Sequence, residues 1–227
     1  MSSTKIYCIS GIGADKRIFQ YLHIPNAELV HISWLQPNAG EGLQDYAKRM
    51  AANIEEENCI ILGVSFGGMV ATEMANLNPT AQVIICSSAT TIREIPFYLR
   101  IFKWMPLYKI LPGGLMHHSN AVFYYLFGAT TTPVKKIMQA IMRDTDAAFI
   151  RWAMGAVLHW KHSERPKNLI HIHGNKDLIL PHYFIQADDI IEGGTHLMIL
   201  EQAALLSEKI AAIISKKASI NKTERIQ

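Results

Sequence analysis

Ser65, Asp177 and His196 are the residues of this chain whose types and positions suit activation of a nucleophile. Ser65 sits in Gly63-Val64-Ser65-Phe66-Gly67-Gly68, a G-x-S-x-G pattern, where a strand signal over residues 58–64 gives way to a helical one over 66–77. A sharp strand-to-helix turn strains its central residue and crowds the positions two before and two after it, so small residues are needed there. Gly63 and Gly67 supply them, and the turn lifts the serine hydroxyl above the sheet edge. A glycine-rich helix start with a capping serine is the plainer reading of the same residues. A serine alcohol is a poor nucleophile near neutral pH; it needs a base, and the base needs an orienting acid. Both are present downstream. His171-Ile172-His173-Gly174-Asn175-Lys176-Asp177 ends a strand in a turn, and Gly193-Gly194-Thr195-His196 puts a histidine in a loop after the last strand signal. Asp188 and Asp189 are alternative acids, but the turn chemistry favours Asp177.

These side chains can meet only if several strands end at one edge. The hydrophobic pattern predicts strands over residues 5–10, 28–35, 58–64, 81–86, 168–173 and 188–191. Between them, Leu43, Tyr46, Ala47, Met50 and Ile54 recur at helical spacing, and a terminal helix turns Leu206, Ile210, Ile213 and Ile214 inward. Near-continuous apolar strands alternating with helices predict an α/β fold with a mostly parallel sheet of about six strands, buried on both faces. Between the fourth and fifth strands the alternation breaks. Residues 91–167 carry helical stretches, the clearest over 96–111 and from Asp144-Thr145-Asp146 to about His159, and no clear strand. The tail from Lys216 is polar and reads as frayed.

Taken together, these features resemble the α/β-hydrolase fold, whose nucleophile, acid and base follow the chain order of Ser65, Asp177 and His196. Ser10-Gly11-Ile12-Gly13-Ala14-Asp15 resembles that family's H-G-x-G loop, with Ser10 where a histidine is common. Residues 173–177 with Pro181 resemble its acid turn, and residues 194–196 its histidine loop. The early nucleophile implies that the family's first two antiparallel strands are missing. The resemblance implies a core of residues 1–90 and 168–227 and a helical cap, residues 91–167. It also implies an oxyanion hole from the backbone N–H groups of Ile12 and Phe66, with Gly11 and Gly13 shaping the loop. The implied activity is hydrolysis of small or medium carboxylic esters through an acyl-enzyme on Ser65, without a cofactor. Thioester, amide, C–C and perhydrolase chemistry use the same three residues, and a ligand sensor on the same fold is the alternative from another class. Epoxide or haloalkane hydrolysis is disfavoured because family members doing it carry aspartate at the position of Ser65.

Other motifs read weakly. Gly11-Ile12-Gly13 lacks the third glycine of a dinucleotide fingerprint, since Lys16 stands there, and no G-K-[ST] follows. His171 and His173 share a strand face without further ligands at metal spacing, so a packed pair is expected and no metal. His117-His118 reads as a polar turn. Cys8, Cys59 and Cys86 sit in apolar runs and read as buried thiols in a reducing compartment. No secretory leader is read in the first nine residues and no long apolar span, so a cytoplasmic protein without a stable membrane anchor is expected.

The formal charge of +3 hides an uneven distribution. Residues 91–167 hold 12 of the 20 aromatics and 11 Lys+Arg against 4 Asp+Glu, a balance of +7; the rest carry 11 against 15, or −4. No nucleic-acid motif accompanies the basic stretch. Residues 97–109 interleave aromatics with cations and read as a packed helix with snorkelling bases, a pocket roof, or an interfacial segment. The packed helix is the commonest explanation of such a pattern, and the roof is favoured over the interfacial segment because Pro106 and Pro112 interrupt a long amphipathic face. Phe97, Phe102 and Trp104, with Phe123, Tyr124 and Trp152, are the expected pocket lining, suited to an apolar or amphipathic acyl substrate. Anionic or amphipathic compounds fit the basic cap best.

Overall fold

A computed structural model describes residues 3–105 and 120–224. Six parallel strands form one sheet: β1 (Thr4–Ile9), β2 (Ala27–His31), β3 (Ile60–Val64), β4 (Gln82–Cys86), β5 (Leu169–Gly174) and β6 (Asp189–Ile191), in the order β2-β1-β3-β4-β5-β6. Alternate residues face opposite layers. Tyr7 and Ile9 of β1, Ile61 of β3, and Val83 and Ile85 of β4 join one core, while Ile6, Cys8, Leu62, Val64, Ile84 and Cys86 join the other. That is why these strands read as unbroken apolar runs.

Helices cover both faces. On the first lie α1 (Leu43–Ala51), which buries Leu43, Tyr46, Ala47 and Met50, and α2 (Phe66–Leu77), which is buried through Ala75. The connection from β4 to β5 contains α3 (Phe97–Arg100), a 3-10 turn (Ile101–Lys103), α4 (Ala121–Phe127), α5 (Thr132–Asp144) and α6 (Ala147–Leu158). Phe149 and Ala153 of α6 enter the first core, and Val134, Met138 and Ile141 of α5 enter the second. After β6 come α7 (Met198–Glu201) and α8 (Ala203–Glu224), whose Leu206 and Ile210 are fully buried, with Ile213 and Ile214 packed against the same core.

The structure departs from the pattern reading in three places. The strand expected to reach residue 35 ends at His31, because the amide and carbonyl of Leu35 are taken by the Tyr46 hydroxyl instead of a neighbouring strand. The helix expected over 96–111 gives way after Arg100 to the 3-10 turn, and its end beyond Met105, like His117 and His118, lies outside the described residues. The tail read as frayed from Lys216 continues as helix to Glu224. No helix among the described residues is long and apolar enough to cross a membrane.

The sheet order has one reversal. The chain moves outward from β1 to β2, then returns past β1 to β3. Carboxyl ends of strands at such a reversal form a crevice. Ile9 pairs with Gly63 there, so the loops leaving β1 and β3 emerge side by side.

Candidate active site

Ser65 is the residue between β3 and α2, with φ 53° and ψ −121°. A non-glycine residue at positive φ is uncommon and is held there only when its surroundings over-determine it. Here the Ser65 amide donates to Cys86 O at 3.0 Å, its carbonyl accepts from the amides of Gly68 and Met69, and Ser88 Oγ donates to that carbonyl at 2.6 Å. A Cβ on Gly67 would lie 2.2 Å from Ser10 O and one on Gly63 would lie 2.6 Å from Gly67 O. Both positions therefore exclude any side chain, as the spacing predicts. Gly11 is different: a Cβ there would make ordinary contact, 3.5 Å from Ser65 Cβ.

His196 follows β6 and Asp177 follows β5. His196 Nε2 lies 2.9 Å from Ser65 Oγ, and His196 Nδ1 lies 2.7 Å from Asp177 Oδ2. A carboxylate only accepts, so Nδ1 carries the ring proton and Nε2 presents its lone pair to the serine hydroxyl. Asp177 Oδ1 accepts from the amides of Ile179 and Leu180, each at 2.8 Å. Burial works to raise the Asp177 carboxyl, but the facing His196 imidazole and these hydrogen bonds outweigh it and hold it below its ordinary value. Asp177 and His196 are 2% and 3% exposed, so their attraction is little screened by water. The two loops touch where Gly174 and Gly194 meet backbone to backbone; a Cβ on Gly174 would lie 2.2 Å from Gly194 O.

The glycine turn after β1 lies against Ser65. Ser10, standing where a histidine was expected, donates from Oγ to Ala14 O at 2.7 Å, and the Trp34 indole donates to the same carbonyl at 3.0 Å. The turn is thus braced from inside without a histidine. Gly13 takes φ +66°, and Thr145 Oγ1 lies 2.7 Å from both Gly13 O and Ile141 O. Phe66 opens α2, where the first amides have no intrahelical acceptor. Phe66 and Ile12 both border the cavity that holds Ser65.

That cavity, of about 220 Å³, is walled by Met69, Ile95, Leu99, Phe102, Met154, Val157, Leu158, Ile179 and Leu180 besides Ile12, Ser65 and Phe66. Of the six aromatics expected to line a pocket, Phe102 does so. Trp104 is 84% exposed, and Phe97 is exposed and packs edgewise on Tyr98 and Phe184. Trp152 leans on Tyr46 at 4.4 Å and donates its indole N–H to Glu41 O. Phe123 stacks on Phe127, 4.4 Å between centroids, and Tyr124 borders a separate groove. The lining is mostly aliphatic, which an aromatic count misses; Met154, Val157 and Leu158 were visible as i, i+3, i+4 neighbours on α6. Phe127, in the same aromatic run 123–127 that reads as apolar lining, contacts the base instead. Its ring meets the His196 imidazole edge-on at 5.5 Å, and its carbonyl accepts from the Leu197 amide.

The remaining candidates lie elsewhere. Asp188 accepts from the His171 amide and pairs with Arg165, and Asp189 pairs with Lys209, so neither acid reaches His196. His171 and His173 pack edge to face at 5.2 Å, and His173 Nε2 donates to Leu180 O at 2.8 Å. Burial holds both imidazoles below the ordinary histidine range.

A hydroxyl, an imidazole and a carboxylate in series, opening on an apolar cavity, can attack an acyl carbon. A sequence search of curated proteins finds no match. Among solved structures the chain is similar to a protein described as the non-heme bromoperoxidase BpoC of Mycobacterium tuberculosis H37Rv, with TM-score 0.72 and 14% identity over 94% of this chain and 92% of that one. It is also similar to a lipase-esterase related protein of Clostridium acetobutylicum ATCC 824 (TM-score 0.69, 13% identity, 91% and 93% covered). A third is the enol-lactonase of Burkholderia xenovorans LB400 (TM-score 0.64, 12% identity, 95% and 92% covered). At such identities the likeness is one of fold. The sequence itself matches the alpha/beta hydrolase family over residues 6–209, a span that runs from within β1 through β6 and takes in the Ser65, Asp177 and His196 loops, and the chain belongs to that family.

Proposed function

We propose that the protein is a serine hydrolase of small or medium carboxylic esters, working through an acyl-enzyme on Ser65. The observation that carries this is the continuous chain from Ser65 Oγ through His196 to Asp177, 2.9 and 2.7 Å, opening on a cavity with apolar walls. His196 Nε2 takes the hydroxyl proton as Ser65 Oγ bonds to the acyl carbon. Asp177 holds the imidazole in the accepting tautomer and stabilises the imidazolium that forms. The N–H groups of Ile12 and Phe66 receive the oxyanion, each worth about 3–4 kcal/mol of transition-state stabilisation. The carbonyl re-forms, the bond to the leaving oxygen breaks, and His196 delivers the proton to that oxygen. Water, activated by the same imidazole, then releases the acid and restores Ser65.

The acyl group sits in the aliphatic cavity, which Ile95, Leu99, Phe102, Met154, Val157 and Leu158 of the expected cap help to enclose. A cavity of about 220 Å³ suits a small or medium acyl group. The fold neighbours are named for ester, lactone and peroxidase chemistry, so the cavity rather than the fold selects the substrate. The three free cysteines, all buried, support a reducing, cytoplasmic setting.

Fluorophosphonate labelling followed by peptide mapping, together with a panel of esters of increasing acyl length, tests the proposal. A Ser65 adduct and turnover that Ser65→Ala abolishes are expected. A folded protein that neither labels nor turns over esters, and instead only gains thermal stability with a bound ligand, sinks the reading in favour of a sensor.

A further inference from the structure

The mechanism above leaves one side of His196 without an occupant. The imidazole must pass its proton to the leaving oxygen, so the leaving group departs on the His196 side, while the acyl group fills the cavity behind Ile179 and Leu180. On the other flank of the same acid turn lies a separate groove of about 550 Å³, with no lining residue in common with the acyl cavity. Leu178, next to Asp177 and Ile179, faces it, and Thr195, next to His196, forms part of its wall. Tyr124, Tyr125, Lys135 and Lys176 border it as well. Along the chain, two of its lining residues are immediate neighbours of the acid and the base: Leu178 follows Asp177 and Thr195 precedes His196.

Its charge is one-sided. Lys135 and Lys176 line it, and no carboxylate does among the described residues. The ion pairs of the described molecule engage Lys5, Arg17, Arg49, Arg143, Arg165 and Lys209, leaving these two lysines without an acidic partner. Lys135 Nζ instead stands 5.8 Å from the centre of the Tyr124 ring. Lys176 is anchored through its backbone, whose N–H donates to Gly194 O at 2.8 Å in the histidine loop. Two cations from different elements, α5 and the acid turn, thus converge on one aromatic-sided groove.

We propose that this groove binds the leaving group and that the leaving group is anionic: the substrate is an ester or thioester whose alcohol or thiol carries a carboxylate or phosphate. The inference rests on Ser65 being the nucleophile. The bond from the acyl carbon to the leaving oxygen or sulfur breaks, that atom takes the proton from His196 Nε2, and the product leaves with its remote negative charge unchanged.

The test uses two butanoyl esters of nearly equal shape, those of 4-hydroxybenzoate and of 4-hydroxybenzamide, which differ in one charge far from the scissile bond. The ratio of their kcat/KM values is measured in wild type, Lys135→Gln/Lys176→Gln and Lys135→Arg/Lys176→Arg, with melting temperature as the folding control. Two partly exposed cations predict a wild-type preference for the benzoate ester of about five- to tenfold. The preference falls to about unity in the glutamine variant, survives in the arginine variant, and fades as ionic strength rises. Ester turnover and a Ser65 adduct without any preference for the anionic ester overturn the groove assignment alone, as does a preference that outlasts removal of both charges. Absence of both adduct and turnover overturns the nucleophile assignment and the groove with it.

Discussion

Replacing Asp177 by asparagine swaps one oxygen for an amino group at almost constant volume, and the surrounding hydrogen bonds dictate which oxygen is lost. Asp177 Oδ1 accepts two amides, from Ile179 and Leu180, both at 2.8 Å, so only an oxygen can remain there. The amino group must then face His196 Nδ1, 2.7 Å away. It can only donate, which turns Nδ1 into the acceptor and moves the ring proton to Nε2, opposite Ser65 Oγ. The base is then blocked by its own proton. Restoring the useful tautomer requires flipping the amide so that its amino group confronts two buried N–H donors, at about 1–3 kcal/mol for each stranded group. Two such groups cost about 2–6 kcal/mol, and each 1.36 kcal/mol is tenfold in rate, so kcat should fall by about 30-fold to 2 × 10⁴-fold. The upper end coincides with the loss of about 10⁴ known for the corresponding substitution in a serine protease. The assay is kcat and KM for 4-nitrophenyl butanoate, with melting temperature as the control for folding; the loss should fall in kcat. A folded Asp177→Asn protein keeping kcat within about tenfold of wild type would refute the tautomer argument. The same substitution has a signature in acid. Because the folded carboxyl is held below its ordinary value, its stabilising contribution is present above about pH 4 and is lost as pH falls. The asparagine variant should lack that component of the acid slope.

Three further outcomes follow from the packing. Gly67→Ala puts a Cβ 2.2 Å from Ser10 O and should cost several kcal/mol, more than about the 1–3 usual for overpacking, because backbone must move; Gly11→Ala, with its 3.5 Å contact, is the comparison. Equal melting temperatures for the two variants would contradict the crowding at the elbow. Met154→Trp narrows the acyl cavity and should shift the ester preference toward acetyl, each excluded methylene costing about 0.8 kcal/mol, or about fourfold in kcat/KM. An unchanged chain-length profile would place the acyl group elsewhere. His162 is held above the ordinary histidine range chiefly by its hydrogen bond with buried Glu73, so that pair's contribution to stability is present at acidic pH and is lost as pH rises through the folded-state value. Denaturant titrations from about pH 6 to pH 8 should show this decline in wild type and not in Glu73→Gln; identical slopes would dispose of it.

How far the sequence could be read depended on whether a signal was local. The strands were legible because both faces of the sheet are buried, and the elbow was legible because a Cβ on Gly63 or Gly67 would fall within 2.6 Å of backbone, which excludes every other residue type. The acid and base were found by their place after strands. What escaped depended on contacts distant in sequence. The strand at 28–35 stops early because a hydroxyl eleven residues away captures the Leu35 backbone. The helix Thr132–Asp144 was not singled out, although Pro133 in its first turn and the spacing of Val134, Ile137, Met138 and Ile141 mark it. Pocket residues were sought among aromatics, whereas the cavity is walled mainly by Met, Leu, Ile and Val from α2, α3, α6 and the acid turn. The charge split along the chain is legible at once, but that Lys135 of α5 and Lys176 of the acid turn, 41 positions apart, line one groove emerges only from the fold.

The Thr145 hydroxyl, placed between Gly13 and Ile141, changes what can be exchanged in this protein. Together with the Phe127 carbonyl on the Leu197 amide, it ties the segment between β4 and β5 to the loops on either side of the nucleophile. That segment is therefore no interchangeable accessory: a graft from a relative that lacked the Thr145 hydroxyl or the Phe127 carbonyl contact would release the glycine turn and the histidine loop along with it. The freedom to diversify lies in the exposed run from Phe97 to Met105, where Trp104 and Phe97 project into solvent, and in the inward face of α6. Directed evolution of substrate range would gain most from libraries confined to those two stretches, with the anchoring positions left intact.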